Sequence, residues 1–370
     1  MQINTTPLMT IADLRRAIPI IAPKLTMVIQ SEPGCGKTSL LAMIAEDMGD
    51  RWRRPGDDYP EDRYDYIYVD CPVKDMQDIG MVVPNHDTRT LEYYVASLFK
   101  MGSGKPKCIF LDELLKAPKL LQIIFTRLML EQMVGDERLT DGSMIVATSN
   151  NSTDGVGDTM LAHAGNRVCR VEMKKPDHEE WGLWAAENNI HRIVRTFVNM
   201  YPRCLHSYRD GGQENNEFIF KPNSGVLSFV SPRSLAKCDV IVRNRDIFGP
   251  QATQAMLAGT IGASAAGMMS ALMTIDKSVH DVRDIVRDPN LPVPEDIAAQ
   301  LMVLAQAVDI LDTHDDLDKF MQWVKRIPSS EVQSIFYTQM CRVPRAAKLA
   351  RRNTAIRDWA VANHMLLTND

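Results

Sequence analysis

Residues 26–40 read TMVIQSEPGCGKTSL: an apolar run, a turn holding Gly34 and Gly36, then Lys37, Thr38 and a second apolar stretch. The run at 24–30 predicts a strand, and SLLAMIAEDMG at 39–49 predicts an amphipathic helix with Gly49 just past its end. Between them, Ser31 to Thr38 ends like the phosphate-binding pattern G-x-x-x-x-G-K-[ST], but Ser31 stands where the first glycine belongs. Phosphate needs positive charge and backbone N–H donors at close range, and glycine permits that approach. Gly34 and Gly36 supply it, Lys37 suits the β- and γ-phosphates, and Thr38 suits Mg2+; Glu32, Pro33, Cys35 and Ser39 complete the loop and the helix start. A small residue serves at position 31 if its backbone is not left-handed. The plainer reading is a glycine turn bearing one exposed lysine.

Further along, KCIFLDE at 107–113 is an apolar strand ending in two carboxylates. Asp112 would hold Mg2+, directly or through water, and Glu113 would orient and deprotonate an attacking water. MIVATSNN at 144–151 predicts another strand, whose terminal amide, Asn150 or Asn151, could reach a γ-phosphate or that water. Arg167 in HAGNRV and Arg233 in SPRS are candidates for stabilising transition-state charge, because arginine is permanently charged and planar. Surface salt bridges are the bland alternative for both.

The rest of the chain frames these residues. Thr10 and Asp13 predict the capped start of a helix that Pro19 ends. Strands are expected at 64–70 and 167–173, and a long helix at 120–133. Strands alternating with helices argue an α/β fold with a parallel sheet flanked by helices. Beyond Pro176 the pattern turns helical. Residues 211–225 read as a linker, which places an α/β nucleotide-binding domain at 1–210 and a helical domain at 226–370. Residues 69–88 form an insert whose structure the pattern does not disclose. Trp181 and Trp184, three apart, suit a packing face.

With 370 residues the chain is long enough for two domains, and 47 acids against 42 bases, net −5, argue against a broadly basic surface for nucleic acid. Seven cysteines without a C-x-x-C pair suggest neither a disulfide framework nor a zinc site, and fit a reducing cytoplasm. The first twenty residues lack the features of a signal peptide. Ala255 to Met273 carries no charge but is mostly Ala, Gly, Ser and Met, which predicts a close-packed soluble helix and no membrane span. Cys35 reads as a tolerated small residue, and His86, His163, His178 and His191 lack metal-ligand spacing.

Taken in order, EPGCGKT, IFLDELLKAP, LMLEQMVGDERLTDG, ATSNN, GNRVCRVEM and SPRS resemble an AAA+ ATPase of the MoxR type, nearest to the compact MoxR-like ATPases of bacterial and phage genomes. The likeness covers residues 24 to about 240. It implies an AAA+ P-loop NTPase core followed by an all-α lid and a C-terminal helical region. It further implies ATP and Mg2+ as cofactors and a homo-oligomer, usually a hexameric ring, with ATP held between subunits. Lys37, Thr38, Asp112, Glu113 and Asn150 would act from one protomer, with Asn150 preferred to Asn151. Arg167 resembles an arginine finger and Arg233 the sensor arginine of the lid; residues 132–142 would form a hairpin near the ring pore. Two departures stand out: Ser31 for glycine, and Val168 where many relatives have phenylalanine. Family members commonly remodel proteins together with a von Willebrand A-domain partner, which here would be a separate chain. The expected location is the cytoplasm, that of a bacterial host if the chain is phage-encoded. Two other functions compete with this one. A nucleic-acid motor would use the basic stretch 342–357, where Arg345, Lys348 and Arg352 recur at helical spacing. An ATP-gated scaffold with little turnover would leave Glu113 idle.

Overall fold

The computed structural model describes residues 8–50, 62–150, 166–222 and 224–363. They fall into two compact units: Met1–Lys175 with Lys221–Gly225, and Pro176–Phe220 with Val226–Asp370.

The first unit is built on a six-stranded parallel sheet. In chain order its elements are β1 (Leu8–Met9), α1 (Ile11–Ile21), β2 (Met27–Ser31), α2 (Lys37–Asp47), β3 (Asp65–Asp70), β4 (Gly80–Asn85), β5 (Thr90–Val95) and β6 (Lys107–Asp112). There follow α3 (Lys119–Glu131), β7 (Met133–Val134), β8 (Glu137–Arg138), β9 (Met144–Asn150) and β10 (Cys169–Met173). The sheet order is β1-β10-β2-β9-β6-β3, every pair parallel. Strands β2, β6 and β9 are buried along their whole length, as a sheet covered on both faces requires. Alternation along each strand sorts the side chains between two cores. Val28, Ile109, Leu111, Ile145 and Ala147 meet Phe125 and Leu128 of α3. Met27, Ile29, Cys108, Phe110 and Val146 meet Leu14 and Ile18 of α1 and Leu40 and Ile44 of α2. The expected fold class is thus observed, with α1 and α2 on one face and α3 on the other.

Several local expectations change. Helix α1 starts where predicted, with a Thr10–Asp13 capping box, but runs through Pro19 to Ile21. Leu14 and Ile18 are fully buried, and Ala22 N–H still bonds to Ile18 O at 2.9 Å, so core packing outweighs the proline's helix penalty of about 3 kcal/mol. Strand β6 stops at Asp112, and Glu113 turns into the left-handed region at φ 51°. Within and beyond the insert at 69–88, β4 and β5 pair antiparallel from Gly80–Val95 to Asn85–Thr90. The hairpin expected within 132–142 is formed by β7 and β8.

The second unit is helical. It contains α4 (His178–Glu187), α5 (Arg192–Met200), α6 (Pro232–Arg243), α7 (Arg245–Ile261) and α8 (Ala263–Asp276). The remaining helices are α9 (Val282–Arg287), α10 (Ile297–Ile310), α11 (His314–Val324), α12 (Ser330–Arg342), α13 (Pro344–Ala350) and α14 (Thr354–Ala362). The division between the units thus lies at Lys175–Pro176, ahead of the linker expected at 211–225. The reason is packing: Trp181 of α4 and Ile193 and Phe197 of α5 share one core with Leu235 of α6, Leu257 of α7 and Met269 of α8. Residues 211–220 of the expected linker belong to this unit, with Phe218 buried edge-on against Phe197 and centroids 6.2 Å apart, while Lys221–Gly225 belong to the first. Trp181 and Trp184 do pack together, at 6.3 Å.

The uncharged run at 255–273 is two helices instead of one. Gly262, at φ 89°, separates α7 from α8, and a Cβ there would stand 3.1 Å from Ser228 O. No helix among the described residues is long and apolar enough to cross a membrane. The basic stripe is also broken: α13 ends at Ala350, before Arg352, and Arg345 is bound to Asp309 Oδ1 at 2.5 Å and to Ala186 O at 2.9 Å.

Candidate nucleotide-binding site

Parallel strands put their carboxyl ends on one edge, and the polar residues picked out by sequence collect there. Ser31 closes β2, Asn150 closes β9 opposite it in register, and Asp112 closes β6. Ser31 is buried and takes extended strand backbone, without a positive φ, which removes the objection to serine at that position. Gly34 at φ 79° and Gly36 at φ 99° carry the left-handed turns of the loop. Gly36 is also the N-cap of α2 and offers no side chain to the helix's first N–H groups, which leaves that end suited to an anion.

Lys37 is buried at 6 % exposure. Its Nζ donates to Asn150 Oδ1 at 2.9 Å, to Ser31 Oγ at 3.0 Å, and to Ser31 O and Glu32 O at 3.3 Å each. The ammonium thus bridges the loop to the strand end carrying Asn150. Glu32 is buried with Lys175 Nζ 3.8 Å from its carboxylate, so the loop is also pinned to the chain just past β10. Burial pushes the Cys35 thiol up to about 12, with the Lys175 charge opposing, so this cysteine is an inert packing residue in the loop.

On the other side of the loop, Thr38 Oγ1 donates to Asp112 Oδ2 at 3.1 Å. A hydroxyl and a carboxylate on neighbouring elements are the hard oxygen donors that Mg2+ prefers, so these residues fit the metal. The phosphate group fits as well, given two left-handed glycines, an open helix N-terminus and a buried lysine. Two further residues, which the sequence reading did not single out, complete the cluster. Tyr68 Oη donates to Asp112 Oδ2 at 2.7 Å, and Thr148 Oγ1 donates to Asp112 Oδ1 and accepts from Glu113 N–H at 3.3 Å. Burial, then the bond to Asp112, raises the Tyr68 phenol, so it stays a donor. Their signal was positional: Tyr68 lies on β3, two residues before the position paired with Asp112, and Thr148 two residues before Asn150.

Glu113 is half-exposed and its carboxylate is held by Lys116 Nζ at 2.7 Å. The remaining candidates differ in burial. Pro33 is partly buried in the loop and Ser39 is exposed on the first turn of α2. Arg167 is exposed two residues before β10. Arg233 is exposed in the first turn of α6, after a Ser231 capping box, and belongs to the other unit. Asn151, the alternative to Asn150, lies outside the described residues, as does His163.

The sheet order, the glycine loop between β2 and α2, and the acids and amide at neighbouring strand ends decide the fold. It is a parallel α/β core with a P-loop-like glycine turn at the carboxyl edge of its sheet. Solved structures similar to the chain include a candidate ATPase from Cytophaga hutchinsonii, 13% identical, covering 67% of this chain and 80% of that one, TM-score 0.32. NtrX from Brucella abortus in complex with ADP is 12% identical over 95% of this chain and 67% of its own, TM-score 0.33. The RuvB Holliday junction branch migration motor of Thermotoga maritima is 12% identical over 81% and 83%, TM-score 0.35. No protein-family profile matches the chain, and no curated protein does.

Proposed function

We propose that this protein is an AAA+ ATPase that hydrolyses ATP with Mg2+. The observation that carries the reading is the convergence of Lys37, Thr38, Asp112 and Asn150 at adjoining strand and loop ends, with Glu113 next in the chain. Lys37 would give up its loop carbonyls and bind phosphate oxygens. Thr38 and Asp112 would hold Mg2+, which when bound neutralises phosphate charge. Asn150 would orient the γ-phosphate or the attacking water. Glu113, on leaving Lys116, would take the water's proton.

From the MoxR resemblance we further infer a homo-oligomeric ring, a hexamer, with Arg167 reaching a neighbouring subunit's site and Arg233 acting from the helical lid. The work done would be chaperone-like remodelling of a protein partner, with a separate von Willebrand A-domain chain as its companion, in the cytoplasm. The test is the ATPase rate against protein concentration for the wild type, Glu113→Gln and Arg167→Ala. Activity that rises with assembly, and is lost in both variants while ATP still binds, supports a site shared between subunits. A wild type that binds ATP and assembles yet stays inactive alone and with a partner overturns the hydrolytic reading.

A further inference from the structure

The Asp112 carboxylate accepts three side-chain hydrogen bonds within the cluster. A carboxylate offers about four acceptor positions, two on each oxygen. Oδ2 accepts from Tyr68 Oη at 2.7 Å and from Thr38 Oγ1 at 3.1 Å, while Oδ1 accepts from Thr148. If Thr38 turns a lone pair toward Mg2+, its proton leaves Oδ2 and frees one acceptor position beside the threonine. Tyr68 and Thr148 keep theirs. Together they fix the plane and rotation of the carboxylate, so the freed lone pair stays aimed at the place next to Thr38. Tyr68 can do this rigidly because its ring is stacked on Phe110, centroids 6.1 Å apart and planes 13° apart.

We propose that Tyr68 is a positioning residue for Mg2+, acting through Asp112, and that its hydroxyl sets how strongly Mg2+ strengthens nucleotide binding. This assignment rests on the nucleotide-hydrolysing reading above. It commits a residue on β3, outside the phosphate loop and the acidic strand end, to the metal's affinity and not to the nucleotide's.

The experiment measures the affinity of the full chain for a fluorescent ADP with excess Mg2+ and with EDTA, in the wild type, Tyr68→Phe and Asp112→Asn. Tyr68→Phe retains the ring and its stack, and its thermal midpoint reports that it folds. A hydrogen bond to a charged group is worth enough that the ratio of the two affinities should fall about tenfold in Tyr68→Phe, with the EDTA affinity unchanged. An unchanged ratio, or an equal loss in EDTA, overturns the proposal. If Asp112→Asn lowers the ratio and Tyr68→Phe does not, only the role of Tyr68 falls. If the wild type binds no nucleotide under either condition, the nucleotide reading falls and takes this proposal with it.

Discussion

Lys37 Nζ donates to Asn150 Oδ1 across 2.9 Å, although 113 residues separate them. The contact fastens the phosphate loop to the neighbouring strand end and gives each residue a separable role. Lys37→Ala should abolish ATP binding, because it removes the site's buried cation. Asn150→Ala should leave binding nearly intact and lower kcat by about 100-fold, the usual loss when one aligned polar group is removed. Equilibrium binding and steady-state hydrolysis on both variants check this.

Lys116 holds the Glu113 carboxylate at 2.7 Å in a partly exposed pair. Exposed pairs of this kind contribute about 0–1 kcal/mol, so the glutamate can leave at little cost. Lys116→Ala is expected to change kcat by less than about fivefold, in line with that energy. Glu113→Gln should remove turnover and keep ATP bound. A large loss in Lys116→Ala would instead assign the lysine a direct part in catalysis.

Tyr93 of β5 lies against Gly135, the turn glycine of the β7–β8 hairpin; a Cβ on Gly135 would come within 2.0 Å of the Tyr93 ring. Gly135 also has φ 57°, which side-chain-bearing residues rarely adopt. Gly135→Ala should therefore lower stability by about 2 kcal/mol through overpacking and backbone strain. Urea unfolding reads the loss, and limited proteolysis should then cut first within 80–95.

His191 caps α5 by accepting Ile193 N–H on Nδ1 at 3.2 Å, so it must be neutral there. Burial lowers it from 6.5 to about 4; Asp276 opposes, and Arg245, Arg243 and Arg192 add to the lowering. A depressed folded value means the unfolded chain binds the proton first. The contribution is complete above pH 6.5 and is lost as pH falls toward 4, where the loss levels off, at up to about 1.4 kcal/mol per pH unit between. His191→Asn, which keeps a capping acceptor, should flatten this part of the stability–pH curve.

Cys35, pushed up to about 12 by burial, should resist iodoacetamide at pH 8 in the folded protein and react on unfolding. Mass spectrometry of the loop peptide checks both arms.

The sequence by itself determined the strand–loop–helix unit around Lys37, the acidic strand end at Asp112 and the amide strand end at Asn150. Local rules suffice there: apolar runs set strands, glycines set left-handed turns, and a capping box set the start of α1. It failed where distant packing outweighs local preference. Pro19 stays inside a helix because Leu14 and Ile18 are buried, and α4 and α5 leave the first unit because Trp181 and Phe197 complete another core. The hairpin at 80–95 escaped a reading that followed the parallel sheet, although Val82, Val83, Tyr93 and Tyr94 are strand-forming residues. Only the tertiary structure could add Tyr68 and Thr148 to the site. Their hydroxyls reach Asp112 because parallel pairing sets three strands side by side, and no spacing along the chain encodes which strands become neighbours.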